Sequence, residues 1–333
     1  MMKLLQWRYG LLLLPVALLW LPSNAQALTC QVDSFVSPNL GTITLGNANN
    51  ASIEQTLTYS CTNTSDVTQW ASVCIGVDGG NNNTSQISPR HLTGRDGSNL
   101  NFDMTLNDMS NATWGNRIVG GTEFIDFFSV APGTTTPTIK TTVVGVSLLY
   151  NNNAAKADEY TAAFTGSNAA LTYVTVVSSS DTSRCLSETE GTSPFSFTVE
   201  ANVVNECKIT TPPANVNLGN VPANKLNIEG SSSIGVTCTN AAPYTIGLTL
   251  FNAARNNDGM SFMSGTGNNP DQVPYQLQRD SESGRIPWGD GKGNWAVDVG
   301  TGEVKTKNIY VIVPSADFTP DSYSDTVTVH VNY

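Results

Sequence analysis

Histidine is nearly absent: the 333 residues hold only His91 and His330. There is also no His-Glu-x-x-His, no Gly-x-Ser-x-Gly and no cysteine pair at zinc-ligand spacing. Acid–base, nucleophilic and metal-assisted chemistry therefore lack their usual carriers, and the chain reads as a non-enzyme with no catalytic residue, cofactor or metal. Basic residues are few, 16 Lys and Arg against 27 Asp and Glu. That balance argues against nucleic acid and anionic membranes as partners. Helix-period stretches are missing, and after the first 27 residues no apolar run approaches transmembrane length. The glycine-rich GDGKGNW (289–295) follows no βαβ pattern and reads as a turn. NNDG (256–259) has calcium-loop residue types without the remaining ligand positions.

What is present points to an exported β protein. Lys3 and Arg8 precede an apolar run, LLLLPVALLWL (11–21), and AQA (25–27) offers a small-residue cleavage site. Residues 1–27 are expected to be a secretory signal peptide, leaving a mature chain that begins at Leu28. The signal holds two of the 16 basic residues and none of the 27 acidic ones. The mature chain thus carries 14 basic against 27 acidic groups, a net charge of −13. Its length suits two domains of about 150 residues each. Short Val, Ile, Thr, Tyr and Phe runs recur between Gly, Asn and Pro clusters, the pattern of all-β sandwiches.

The cysteines reveal a repeat. Cys30 to Cys61 is 31 positions, and so is Cys207 to Cys238. YSCTN (59–63) matches VTCTN (236–240), and NLGTITLG (39–46) matches NLGNVPAN (217–224). A Trp-Gly follows in each copy, at Trp114 and Trp288. One domain type is used twice, over 28–205 and 206–333. The repeat predicts disulfides Cys30–Cys61 and Cys207–Cys238, which leaves Cys74 with Cys185.

The copies differ in length. From Trp288 to the end is 45 residues, whereas from Trp114 to Val203 is 89. Part of the excess is PFSFTVEANVV (194–204), in which Phe195, Phe197, Val199, Ala201 and Val203 alternate as one strand face. The second copy has no counterpart, so it is expected to be one strand short. Its terminal SDTVTVHVNY (324–333) alternates Val327, Val329 and Val331 with polar residues, a flat strand whose edge needs a cover. No alternating segment lies between the signal and Cys30, so the chain is expected to accept a strand but to lend none.

These marks, in the order CKITTPPANVNLGNVPAN, VTCTN, YTIGLTL, VPYQLQRD, IPWGDG and DSYSDTVTVHVNY, resemble the spore coat U type pilin domain over nearly all of 207–333. The two-copy arrangement resembles the tip adhesins of archaic, Csu-type chaperone–usher pili. The first copy departs from the pattern in its extra disulfide and its insertions after Trp114. The resemblance implies two immunoglobulin-like sandwiches, the second incomplete and finished by donor-strand complementation. It implies as partners a periplasmic chaperone, an outer-membrane usher, a neighbouring pilin subunit that donates the strand, and an abiotic or host surface. It places the chain at a pilus tip, where it would mediate attachment and biofilm formation. Val327, Val329 and Val331 would edge the acceptor groove. A sugar-reading tip, or a structural shaft or adaptor pilin, is the alternative.

The excess between Gly120 and Pro194 is where binding loops are expected. EFIDFFSVAPG (123–133) and VVGVSLLYNNN (143–153) offer Phe127, Phe128, Val130, Leu148, Leu149 and Tyr150 as apolar tips, on the pole farthest from Cys207. YTAAFTGSNAALTYV (160–174) is a third apolar stretch. A sugar pocket would instead use Trp70, Trp114 and Tyr150 for stacking, with Asp103 and Asp108 for hydroxyls. Trp114 matches Trp288, which favours a structural role for both.

Overall fold

The computed structural model describes residues 27–177, 180–252 and 258–333. The expected signal segment lies outside the described residues except for Ala27, as do the two asparagines of the NNDG stretch. Strand is nearly the only regular structure, as the alternating runs predict. The first domain contributes β1 (Leu28–Phe35), β2 (Asn39–Ile43), β3 (Ser52–Asn63), β4 (Gln69–Val77), β5 (Arg90–Thr93) and β6 (Asn99–Leu106). It continues with β7 (Ala112–Thr113), β8 (Phe124–Val130), β9 (Thr134–Leu148), β10 (Asp158–Phe164), β11 (Ala169–Val176), β12 (Gly191–Pro194) and β13 (Phe197–Val203). The second domain holds β14 (Cys207–Thr211), β15 (Leu226–Cys238), β16 (Pro243–Leu250), β17 (Met260–Ser264) and β18 (Gln272–Ser281). It ends with β19 (Gly284–Pro287), β20 (Ala296–Val299), β21 (Val304–Ser315) and β22 (Val327–Asn332).

Each domain is a sandwich of two sheets. In the first, a sheet in the order β1-β3-β9-β6-β5-β10-β13-β2, with β7 on β6, faces a sheet β12-β11-β4-β8. In the second, β14-β15-β21-β18-β17, with β19 on β18, faces β20-β16-β22. Period-two alternation sends one face of each strand into the shared core. In β6, Leu100, Phe102, Met104 and Leu106 are buried while their neighbours are half-exposed.

The repeat in sequence is a repeat in contacts. Cys30 lies opposite Cys61 across β1 and β3, and Cys207 lies opposite Cys238 across β14 and β15. Directly opposed strand residues are close enough to bridge, so both pairs form disulfides. Trp114 and Trp288 are fully buried, and each indole N–H donates to a strand carbonyl, Ile75 at 2.9 Å and Ile246 at 2.9 Å. This is the structural role the sequence match favours, and it removes Trp114 from any sugar pocket. Asp103 is likewise used internally, accepting from Arg90, Ser88 and Thr113, and Asp108 accepts from Thr142.

The third disulfide, Cys74–Cys185, accounts for part of the first domain's extra length. Cys74 points to the outer face of the four-stranded sheet. Pinned there, Cys185 forms a small second cluster with Cys74, Val174 and Val176, against which Ile125 and Phe127 pack. The segment before β12 thus covers an apolar sheet face that water would otherwise meet.

Only Val204, Asn205 and Glu206 separate β13 from β14, and the joint is bonded on several sides. The Glu206 carboxylate accepts the Leu45 N–H at 2.8 Å, and the Asn240 amide donates to the Ala154 carbonyl at 2.6 Å. Asn153 reaches Glu303 at 3.2 Å. Gly302 sits so close to the Asn153 backbone, at φ +77°, that any side chain there would overlap it.

Candidate functional site

The site is the space in the second domain that a strand occupies in the first. β13 is gripped on both sides: it runs antiparallel to β10 (Phe164 opposite Phe197, Asp158 opposite Val203) and parallel to β2 (Val203 opposite Ile43). It is preceded by β12, which lies antiparallel to β11 in the other sheet, so the closing segment crosses between sheets at Phe195-Ser196. Phe197 stacks on Phe164 at 4.5 Å and meets Phe35 edge-on at 4.8 Å. Val199, Ala201 and Val203 are buried with it. Burying Phe197, Val199 and Val203 at roughly 1.5–3 kcal/mol each gives on the order of 5–9 kcal/mol. That is as large as the net stability of a typical domain, about 5–15 kcal/mol. A sandwich of this type without its closing strand is therefore close to unfolding.

The second domain keeps both of that strand's neighbours without the strand. Asn217-Leu218-Gly219 repeats Asn39-Leu40-Gly41: in each, the glycine has φ near +72° (+72° and +73°), and its N–H donates to the preceding asparagine side chain at 2.8 Å. Yet β2 is a strand and residues 212–225 are not. β2 pairs only with β13, so losing that partner removes its reason to be a strand.

The same holds on the other side. DEYTAAF (158–164) is matched by DSYSDTV (321–327). Asp158 accepts the Arg95 N–H at 2.7 Å, and Asp321 accepts the Thr266 N–H at 2.8 Å. The Tyr160 hydroxyl donates to the carbonyl four residues back, Lys156 at 3.0 Å, as Tyr323 does to Thr319 at 2.6 Å. A bridge joins Thr161 to Thr93, and another joins Ser324 to Ser264. By these marks Phe164 corresponds to Val327, but 316–326 holds no assigned strand.

Between the two segments lie two cavities of about 530 and 660 Å³. They share Val216, Leu218, Met263 and Tyr323 as walls, so they form one groove. Its floor reaches the core at Leu248, Leu277 and Ile309. Among the described residues, β22 pairs with β16 alone, whereas its counterpart β11 has β12 on its far side. Of the three expected groove residues, Val327 and Val329 line the cavity. Val331 packs partly buried against the core further along the same open edge. Sequence reasoning missed Leu218, Tyr323 and Asp325; the two matches just given were the available signal.

One wall is polar. Asp325, where the first domain has the buried Ala162, accepts the Ser261 hydroxyl at 2.8 Å and the Tyr275 hydroxyl at 2.7 Å on Oδ2. Its Oδ1 takes the Thr326 N–H at 2.8 Å. Burial, and then the bond to Asp325, pushes the Tyr275 hydroxyl well above its ordinary range, so it remains a proton donor. At the groove end, bonds from Thr266 and Asn269 pull Asp321 down to about 2, so it is ionised in the folded domain.

The expected apolar tips fare differently. Phe128 and Val130 in β8 and Leu148 in β9 are buried in the first domain's core, so they are not exposed tips. Each lies on the inward face of its strand, which is core even though β8 is the edge of the four-stranded sheet. Phe127, adjacent to Phe128, does point outward, but it lies half-buried under Trp70 with rings 5.0 Å apart. Leu149 is half-buried and Tyr150 is 79% exposed. They adjoin the segment whose Asn153, Ala154 and Lys156 touch the second domain, not the pole farthest from Cys207. Exposed apolar groups near the outer rim of the four-stranded sheet are Val67, Trp70 and Val177.

Residues 193–330 match the Spore Coat Protein U domain. Over those residues the second domain is similar to that family's domain. The match begins inside β12, so the unit includes the strand ahead of Cys207 that is folded into the first domain. No curated protein matches. Among solved structures, the chain is similar to the CsuC–CsuE chaperone–tip adhesion subunit pre-assembly complex from archaic chaperone–usher Csu pili of Acinetobacter baumannii. Identity there is 17%, covering 92% of this chain and 100% of that one, with a TM-score of 0.46. It is also similar to the CupB6 tip adhesin from Pseudomonas aeruginosa (10% identity, 92% and 94% covered, TM-score 0.35). A third is CfaE, the adhesive subunit of CFA/I fimbria of enterotoxigenic Escherichia coli (10%, 90% and 93%, TM-score 0.36). The assignment rests on the domain match.

Proposed function

We propose that this chain is the tip adhesin of a chaperone–usher pilus, joined to its fibre through the groove of its Spore Coat Protein U domain. The observation that carries the reading is the strand ahead of Cys207. That strand belongs to the matched unit, yet it closes the preceding domain. The same step repeated between chains supplies the missing strand: the segment ahead of the first cysteine of a neighbouring subunit enters the groove. Main-chain bonds to both flanking segments give affinity, and alternate side chains fill the cavities. Before assembly a periplasmic chaperone occupies the groove, and an outer-membrane usher is the site of exchange. The subunit is exported through the periplasm and displayed at the cell surface.

Attachment is assigned to the first domain, whose own strand already closes it. The exposed Trp70 and Val177, with Phe127 beneath Trp70, are the apolar groups offered to a surface.

The groove is tested by extending the mature chain beyond Tyr333 with a short turn and a copy of residues 191–204. Tethering supplies the strand at high effective concentration. The second domain is expected to melt separately from and below the first in the unextended chain, and to rise by tens of degrees on extension. A second transition that the extension leaves unmoved overturns the reading.

A further inference from the structure

The groove of the second domain differs from the filled one in the first at a position that chooses its occupant. In the first domain, Val199 of β13 lies directly opposite Ala162 of β10, and both are buried. The matched position in the second domain is Asp325, whose side chain faces the groove. A strand entering as β13 does places one inward side chain directly opposite this carboxylate, within about 4.5–5.5 Å between Cβ atoms.

A carboxylate offers about four acceptor sites. Three are taken, by Ser261, Tyr275 and Thr326. Ser261 and Tyr275 are themselves buried, so the carboxylate is held from behind, and water reaches it from the open groove. An incoming strand removes that water. An apolar residue at the opposing position leaves an anion desolvated without replacement, whereas a hydrogen-bond donor replaces the lost water.

We propose that the partner strand carries a hydrogen-bond-donating side chain, such as serine, threonine or lysine, at the single inward position opposite Asp325, flanked by apolar inward residues. This rests on the strand-accepting reading above and adds a rule of partner choice to it. The chain's own closing sequence, with Val199 there, is by this rule a weaker occupant than the same sequence with a donor at that position.

The test is a double-mutant cycle on the extended full chain just described. The donor copy carries either valine or threonine at the position of Val199, a near-isosteric pair, and the acceptor carries Asp325 or Asp325→Ala. With Asp325 present, the threonine donor should raise the melting of the second domain above that of the valine donor, by on the order of 5 °C. With Asp325→Ala the order should reverse, because the threonine hydroxyl then lacks a partner. If the alanine acceptor fails to fold, Asp325→Asn replaces it, and the threonine preference should shrink. Equal melting of the two donors on Asp325, or a threonine preference unchanged on the altered acceptor, overturns the rule while leaving strand acceptance standing. Failure of both donors to stabilise the second domain removes strand acceptance itself.

Discussion

Asp158 and Asp321 show how little of a strand's position depends on the strand beside it. Each aspartate accepts a backbone N–H from the adjoining turn, and each sits two residues before a tyrosine that bonds back four residues. These local bonds hold 321–323 where β10 begins in the first domain although β13 has no counterpart. Asp321 is the more tightly held ion, since Thr266 and Asn269 both donate to it. Its depressed pKa means that the fold favours the charged form. The resulting stability is fully present above the ordinary aspartate range, fades as pH falls below about 4, and is gone once pH passes below the folded value of about 2. Asp321→Asn should therefore lower the second domain's melting at pH 6 and make little difference at pH 2. A melting series on the extended chain from pH 6 to pH 2 checks this; a gap that widens in acid would contradict it.

At the scale of elements, the sequence was most informative where one strand face recurs without interruption. Phe195 to Val203 alternate cleanly because β13 has one face in the core and one outside, and equal cysteine spacing marked β1 against β3 and β14 against β15. The shortage of one strand followed from these two signals. The binding loops were not legible for a related reason. Strand alternation puts one ring of the adjacent pair Phe127-Phe128 outward, but the sequence did not say that the outer face has its own cover. That cover is the segment pinned by Cys74–Cys185, which occupies length that otherwise suggested free loops. The bond closes a loop of 111 residues, so its loss should cost on the order of 4–5 kcal/mol in the chain-entropy account. Replacing both cysteines by alanine should lower only the first domain's transition and expose Val174 and Val176. Increased binding of an apolar dye at temperatures below that transition measures the exposure. An unchanged first transition would mean that the cover is held by its other contacts, such as the Arg117 bonds to Glu123 and to the Cys185 carbonyl.

At the scale of the whole molecule, assembly and attachment are divided, on the proposed reading, between two domains whose short joint is bonded through Glu206, Asn153 and Asn240. The first domain is closed by its own β13, whereas on that reading the second is filled by a neighbour's strand. On the proposed reading a subunit organised this way ends a fibre, and the surface it offers outward is that of the first domain. There the candidates are Trp70, stacked on Phe127, and Val177, which is 98% exposed. A large apolar side chain pressed against a surface contributes at most roughly 1.5–3 kcal/mol. One molecule therefore holds weakly, and many fibres acting together hold firmly. The net charge, −11 over the full sequence and −13 for the expected mature chain, opposes approach to anionic surfaces, and added salt should relieve that. Trp70→Ser with Val177→Ser should leave fibres assembled, with label for this subunit once per fibre at the distal end, while attachment to hydrophobic plastic falls at least tenfold. Trp70 and the exposed Tyr150 are also rings able to stack on a sugar, so free sugars are the decisive competitor. If they release attached cells, or if the double replacement leaves attachment intact, apolar contact at this rim is not how the molecule holds on.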